Sequence, residues 1–127
     1  MKKLFKLALS LFITSSAFAQ DKKAVSPEEF QKAISDKNAV ILDVRRPEEF
    51  KEDRIKGAVN VNWQNPEEFK TQTAKLNKNK PVYVYCLGGV RSLKATEALE
   101  KAGFKKVVGL EGGIKAWKDA GKPVEKP

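Results

Sequence analysis

At 127 residues the chain has room for one domain. It holds no histidine, which excludes histidine triads, histidine metal sites and histidine general bases, and a single cysteine, Cys86, which excludes an internal disulfide. The net charge of +9 reads as solubility through lysines on solvated faces, with attraction of small anions as an added effect, and no nucleic-acid-binding motif makes nucleic acid an expected partner.

Lys2, Lys3 and Lys6 open the chain, a short apolar stretch follows from Leu7 to Ile13, and Ala17-Phe18-Ala19 is a small-x-small cleavage pattern. These are the three parts of a secretory signal peptide. The apolar stretch falls short of the roughly 20 residues that span a bilayer. The expectation is a cleaved signal peptide at residues 1–19 and one domain at residues 20–127. That domain would be periplasmic or secreted, with no membrane attachment once the signal is removed. A lone thiol in an oxidising compartment is either buried and inert or retained for chemistry.

Three segments share one helix-start recipe: Ser26-Pro27-Glu28-Glu29-Phe30, Arg46-Pro47-Glu48-Glu49-Phe50 and Asn65-Pro66-Glu67-Glu68-Phe69. Proline suits the first helical position, where an N–H would lack a partner. The glutamates suit the positive end of the helix dipole. Ser26 and Asn65 are good N-caps, and each phenylalanine begins a face expected in the core. Between these helices lie apolar runs that read as strands. Ala39 to Leu42 and Val82 to Tyr85 are nearly continuous, as strands buried on both faces are. Val59 to Val61 and Lys106 to Val108 are weaker candidates. Helices are expected over Leu93 to Ala102, stopped by Gly103, and over Ile114 to Ala120, stopped by Gly121. Alternating strands and helices predict an α/β fold with a central, mostly parallel sheet covered by helices on both faces. Ligands in such folds sit outside the carboxyl ends of the strands.

Cys86 directly follows the strand Val82 to Tyr85, and Cys86-Leu87-Gly88-Gly89-Val90-Arg91-Ser92 leads into the next helix. A tight turn with two glycines lets backbone N–H groups point inward and form a concave anion site. The helix N-terminus adds a partial positive charge and Arg91 a full one. All three favour a thiolate, the nucleophilic form of cysteine. A small apolar residue closing a buried strand is the other part a cysteine takes here. The order strand, cysteine, glycines, arginine, helix argues for chemistry.

That loop resembles the active-site loop of the rhodanese family, Cys-x-x-Gly-x-Arg followed by Ser or Thr. Leu42-Asp43-Val44-Arg45, Glu49-Phe50 and Ile55-Lys56-Gly57-Ala58-Val59-Asn60-Val61 are similar to the family's first motif. Leu110-Glu111-Gly112-Gly113-Ile114-Lys115-Ala116-Trp117, with Gly121-Lys122-Pro123-Val124, is similar to its closing one. The resemblance runs from about Ser26 to Val124. It implies a single rhodanese-like domain and thiosulfate sulfurtransferase activity through a Cys86 persulfide. Thiosulfate or a similar small anion would be the sulfur donor, and a thiol or cyanide the acceptor. The sulfur would be cradled by Leu87, Gly88, Gly89, Val90, Arg91 and Ser92. No metal and no organic cofactor is implied, and a monomer is expected. Four residues separate Cys86 from Arg91, whereas cysteine phosphatases carry five, so phosphate hydrolysis ranks below sulfur transfer. A redox-sensing or binding module on the same scaffold is the other alternative.

Asp43 is expected to help hold the loop, through Arg91 or Ser92, against the alternative of a surface ion pair. Arg45 is expected to serve structure on the Glu49 side. Asp53-Arg54-Ile55 stands where the family usually has Gly-His-Ile, and Arg54 reads as solvent-facing. Trp117 is expected in the core, Trp63 either in packing or at the cleft, and Gly112 and Gly113 in a turn with unusual dihedrals.

Overall fold

The computed structural model describes residues 23–127. The expected signal peptide at residues 1–19 lies outside the described residues. The elements in chain order are β1 (Ala24–Val25), α1 (Pro27–Ile34), β2 (Val40–Asp43), α2 (Pro47–Glu52), β3 (Val59–Asn60), α3 (Pro66–Thr73), β4 (Val82–Tyr85), α4 (Val90–Lys101), β5 (Val107–Leu110) and α5 (Gly113–Asp119). The strands form one sheet in the order β1-β5-β4-β2-β3. Every strand pairing in it is parallel.

Side chains on β2 and β4 alternate between two cores, as the two-residue period of a strand requires. Leu42, Val82, Val84 and Cys86 point to one face with Phe69 of α3 and Ala95 and Leu99 of α4. Ile41, Tyr83 and Tyr85 point to the other with Phe30 of α1 and Ile114 and Trp117 of α5. Helices therefore cover both faces. Continuing β4 by one residue aims Cys86 at the face that α4 covers.

The Pro-Glu-Glu-Phe starts form helices as expected. Ser26 Oγ accepts from the Glu29 amide at 3.2 Å, and Asn65 Oδ1 from the Glu68 amide at 3.2 Å. Ser26→Ala should cost about 1 kcal/mol in urea denaturation, because an amide at the α1 N-terminus loses its acceptor. Phe30 and Phe69 enter the core. Phe50 does not: α2 is six residues long and buries none of them. Phe50 is half-buried, under the Arg54 guanidinium at 4.9 Å.

Two boundaries differ in ways that matter for the site. The helix expected from Leu93 begins at Val90, with Gly89 as its N-cap at φ +112°. Strand β5 runs on to Leu110, so only Glu111 separates it from Gly112 and Gly113, both in the left-handed region. The turn expected from these two glycines is there.

Candidate active site

Cys86 is 1% exposed and lies at the mouth of β4. Its Sγ accepts the amides of Gly89 at 3.1 Å and Ser92 at 3.3 Å. The thiol donates to Ser92 Oγ at 3.4 Å, and that hydroxyl donates to the Gly89 carbonyl at 3.2 Å. Val90, Arg91 and Ser92 form the first turn of α4 rather than a loop. First-turn amides have no partner within the helix, which leaves the Ser92 N–H free for sulfur. Among the described residues the amides of Leu87, Gly88, Val90 and Arg91 meet no protein acceptor. The strand end thus presents a sulfur inside a ring of backbone donors, a setting that stabilises negative charge.

The other side of the loop is fixed by α5. Ile114 donates its amide to the Cys86 carbonyl at 2.8 Å, and Lys115 to the Leu87 carbonyl at 3.1 Å. Gly113 makes this approach feasible. A Cβ there would overlap the Leu87 carbonyl and stand 2.6 Å from the Cys86 oxygen.

Arg91 turns back from the sulfur to α2. Its guanidinium grips Glu49 with both ends, Nη1 to Oε1 at 2.8 Å and Nη2 to Oε2 at 3.1 Å. Glu49 also accepts the Arg46 amide at 3.0 Å. Hydrogen bonding to Arg91 holds the Glu49 carboxyl down at about 2, against burial that would raise it. The same bond, outweighing burial, raises Arg91 above its ordinary value. A carboxyl depressed on folding contributes stability above its unfolded value near 4.5 and loses it as pH falls toward 2. Glu49→Gln should therefore cost about 1–2 kcal/mol at neutral pH after discounting for solvent screening. The gap to wild type in urea denaturation should narrow between about pH 5 and pH 3. A constant gap over that range would assign the loss to packing instead.

Asp43 does not hold the loop through Arg91 or Ser92, and it is no surface pair. It is fully buried and takes Arg45 as a fork, Nε to Oδ1 at 3.0 Å and Nη2 to Oδ2 at 2.7 Å. Arg45 does not reach Glu49 either. Its Nη2 donates to the Asp53 carbonyl at 2.6 Å, just past the end of α2. Burial opposes the Arg45 charge, but Asp43 outweighs it and the guanidinium is held firmly protonated. Asp53 is paired in turn with Lys118 of α5. Burial works against the Asp53 charge, and the lysine leads the groups that keep its carboxyl below the usual range. The chain Asp43, Arg45, Asp53, Lys118 ties β2 to α2 and α5, the two helices that touch the loop.

Arg54 is not a free rim cation. It stacks on Phe50, donates to the Phe50 carbonyl at 3.1 Å and lies 3.7 Å from Glu125. Trp63 is half-buried, edge-on to Phe69 at 4.9 Å. Trp117 is buried, its indole N–H on the Pro123 carbonyl at 2.7 Å. Sequence reasoning missed Glu49 as the partner of Arg91, and the docking of α5 on the loop.

A buried cysteine in an amide cradle at the carboxyl end of a parallel sheet defines a cysteine-loop α/β domain. The Rhodanese-like domain model matches residues 26–120. The chain belongs to the rhodanese-like family. It is 37% identical over 112 residues to the tRNA uridine(34) hydroxylase of Pelagibacter ubique, covering 88% of this chain and 37% of that protein. It is 36% identical over 104 residues to the putative sulfur carrier protein YrkF of Bacillus subtilis, covering 81% of this chain and 55% of that one. The chain thus spans about a third of the hydroxylase and about half of the carrier. The crystal structure of a rhodanese-like domain protein from Staphylococcus aureus superposes with a TM-score of 0.69 at 34% identity, over 83% of this chain and 98% of that one.

Proposed function

We propose that the chain is a sulfurtransferase that carries a sulfane sulfur as a persulfide on Cys86. The observation that carries this reading is the cradle itself. Two amides already reach Sγ, and four more amides of the loop are unclaimed. Such a ring suits a second sulfur bearing negative charge, as an oxyanion hole suits oxygen. The spacing of Cys86 and Arg91 and the similarity to a putative sulfur carrier support it.

The reaction runs in two displacements. The Cys86 thiolate attacks the outer sulfur of thiosulfate or a similar donor. The bond between the two donor sulfurs breaks, and sulfite leaves with the electron pair. The persulfide anion then gives its terminal sulfur to a thiolate or cyanide, and the Cys86 thiolate returns. The covalent intermediate divides one transfer into two and predicts ping-pong kinetics. No metal or organic cofactor takes part. The proposed setting is a monomer outside the cytoplasm, freed of its signal peptide.

The test is to incubate the purified protein with thiosulfate and measure intact mass and released sulfite. Gain of one sulfur atom with matching sulfite is the expected result. No gain with a free Cys86 thiol would turn the reading toward redox sensing or binding. Hydrolysis of an aryl phosphate would turn it toward a phosphatase.

A further inference from the structure

The Cys86 loop brings one full positive charge of its own, Arg91, and Glu49 takes both ends of it at 2.8 and 3.1 Å. What faces the sulfur is then a set of partial charges on amides. The charged side chains lining the neighbouring cleft, Lys23 and Glu111, are of opposite sign, and three large apolar side chains of the loop and the start of α4 meet solvent. Leu87 is 46% exposed, Val90 69% and Leu93 48%. Val90 and Leu93 stand three residues apart on α4 and so share a face. Leu93 also borders, with Gly88, Gly89 and Ser92, a cleft between α4 and the ends of β1 and β5. One exposed apolar residue is ordinary, but three within the cysteine loop and the first turn of the helix after it form an apolar patch beside the nucleophile.

We infer that Glu49 and this apolar rim set donor specificity: the site prefers a sulfane sulfur on an apolar organic carrier, neutral or singly charged, over a small dianion. The inference rests on Cys86 being a sulfur carrier. A dianion approaching the loop must shed water and finds Arg91 already neutralised. An organic carrier sheds water against Leu87, Val90 and Leu93, which favours it. With an aromatic thiosulfonate the thiolate of Cys86 attacks the outer sulfur. The bond between that sulfur and the sulfonyl sulfur breaks, and the electron pair leaves on the sulfinate. The persulfide remains, and no oxidant or reductant is needed.

The experiment compares benzenethiosulfonate with thiosulfate as donor to the full chain, with cyanide as acceptor and kcat/KM as readout. The aromatic donor should be favoured by about tenfold or more. Joint replacement Val90→Asn and Leu93→Asn, at exposed positions, should lower that preference several-fold. Glu49→Gln should move the ratio toward thiosulfate, most strongly at low salt, because it uncovers the Arg91 charge. A purely structural role of Glu49 would lower both donors alike. A wild-type preference for thiosulfate, or a ratio unmoved by the variants, overturns the inference while leaving sulfur transfer intact. Should Glu49→Gln fail to fold, the Val90 and Leu93 replacements decide alone. Failure of both donors to add sulfur to wild-type Cys86, read by intact mass, overturns the sulfurtransferase reading itself.

Discussion

Serine in place of Cys86 should leave a folded protein that takes up no sulfur. The fold should tolerate it because the change swaps sulfur for a smaller atom at a site 1% exposed. The new oxygen can accept the same Gly89 and Ser92 amides, so the stability loss should be about 1 kcal/mol. The chemistry should not tolerate it. A hydroxyl needs a base to become a nucleophile, and the hydrogen-bond partners of Cys86 Sγ are two amides and the hydroxyl of Ser92, none of them a base. Sulfur uptake from any donor should fall by on the order of a thousandfold or more. Intact mass and sulfite release report the transfer, and urea denaturation reports the fold. A variant that still released sulfite at the wild-type rate would remove Cys86 from the reaction.

Local signals account for what was legible in the sequence. The Pro-Glu-Glu-Phe starts, the buried strands β2 and β4 and the cysteine between strand and helix each depend on neighbours a few residues away. Strand β1 is two residues long and exists through its pairing with β5, from Ala24 to Gly109 and Val25 to Leu110. No pattern within two residues reveals such a partner. The sequence places the start of α4 three residues late because Gly88 and Gly89 both read as turn. Only the conformation of Gly89 shows that the helix begins right after it, and that placement is what frees the Ser92 amide for sulfur. Asp43 and Arg45 lie two residues apart, yet the sequence points each to another partner, because it does not show that both point inward from the end of β2. Glu49 looked like one of six glutamates at helix starts. Its pairing with Arg91 spans 42 positions and depends on how α2 sits against α4. Motif order located the reacting atom, while the groups that orient its loop come from long-range packing.

Gly113→Ala should destabilise the protein by about 3–5 kcal/mol, whereas Gly121→Ala should cost only about 1–2 kcal/mol. The two glycines share one backbone problem, with φ of +63° and +75°. An alanine pays the same left-handed strain at either site. Their surroundings differ. A Cβ at Gly121 meets nothing within 4 Å, while one at Gly113 runs into the Leu87 carbonyl and comes to 2.6 Å from the Cys86 oxygen. Those obstacles are backbone, so no rotamer change relieves them. Either α5 withdraws or the loop shifts, and the hydrogen bonds from the Ile114 amide to the Cys86 carbonyl and from the Lys115 amide to the Leu87 carbonyl weaken, each worth about 1 kcal/mol. The difference between the two variants in urea denaturation therefore isolates the contact of α5 with the cysteine loop. Function should divide the same way. Gly121→Ala should load sulfur normally, and Gly113→Ala should load it on the order of tenfold more slowly, because the amides around Cys86 lose their alignment. Equal stability losses with equal loading would mean that the loop holds its shape without α5. A larger loss at Gly113 together with slow loading would make the helix that follows β5 part of the sulfur cradle.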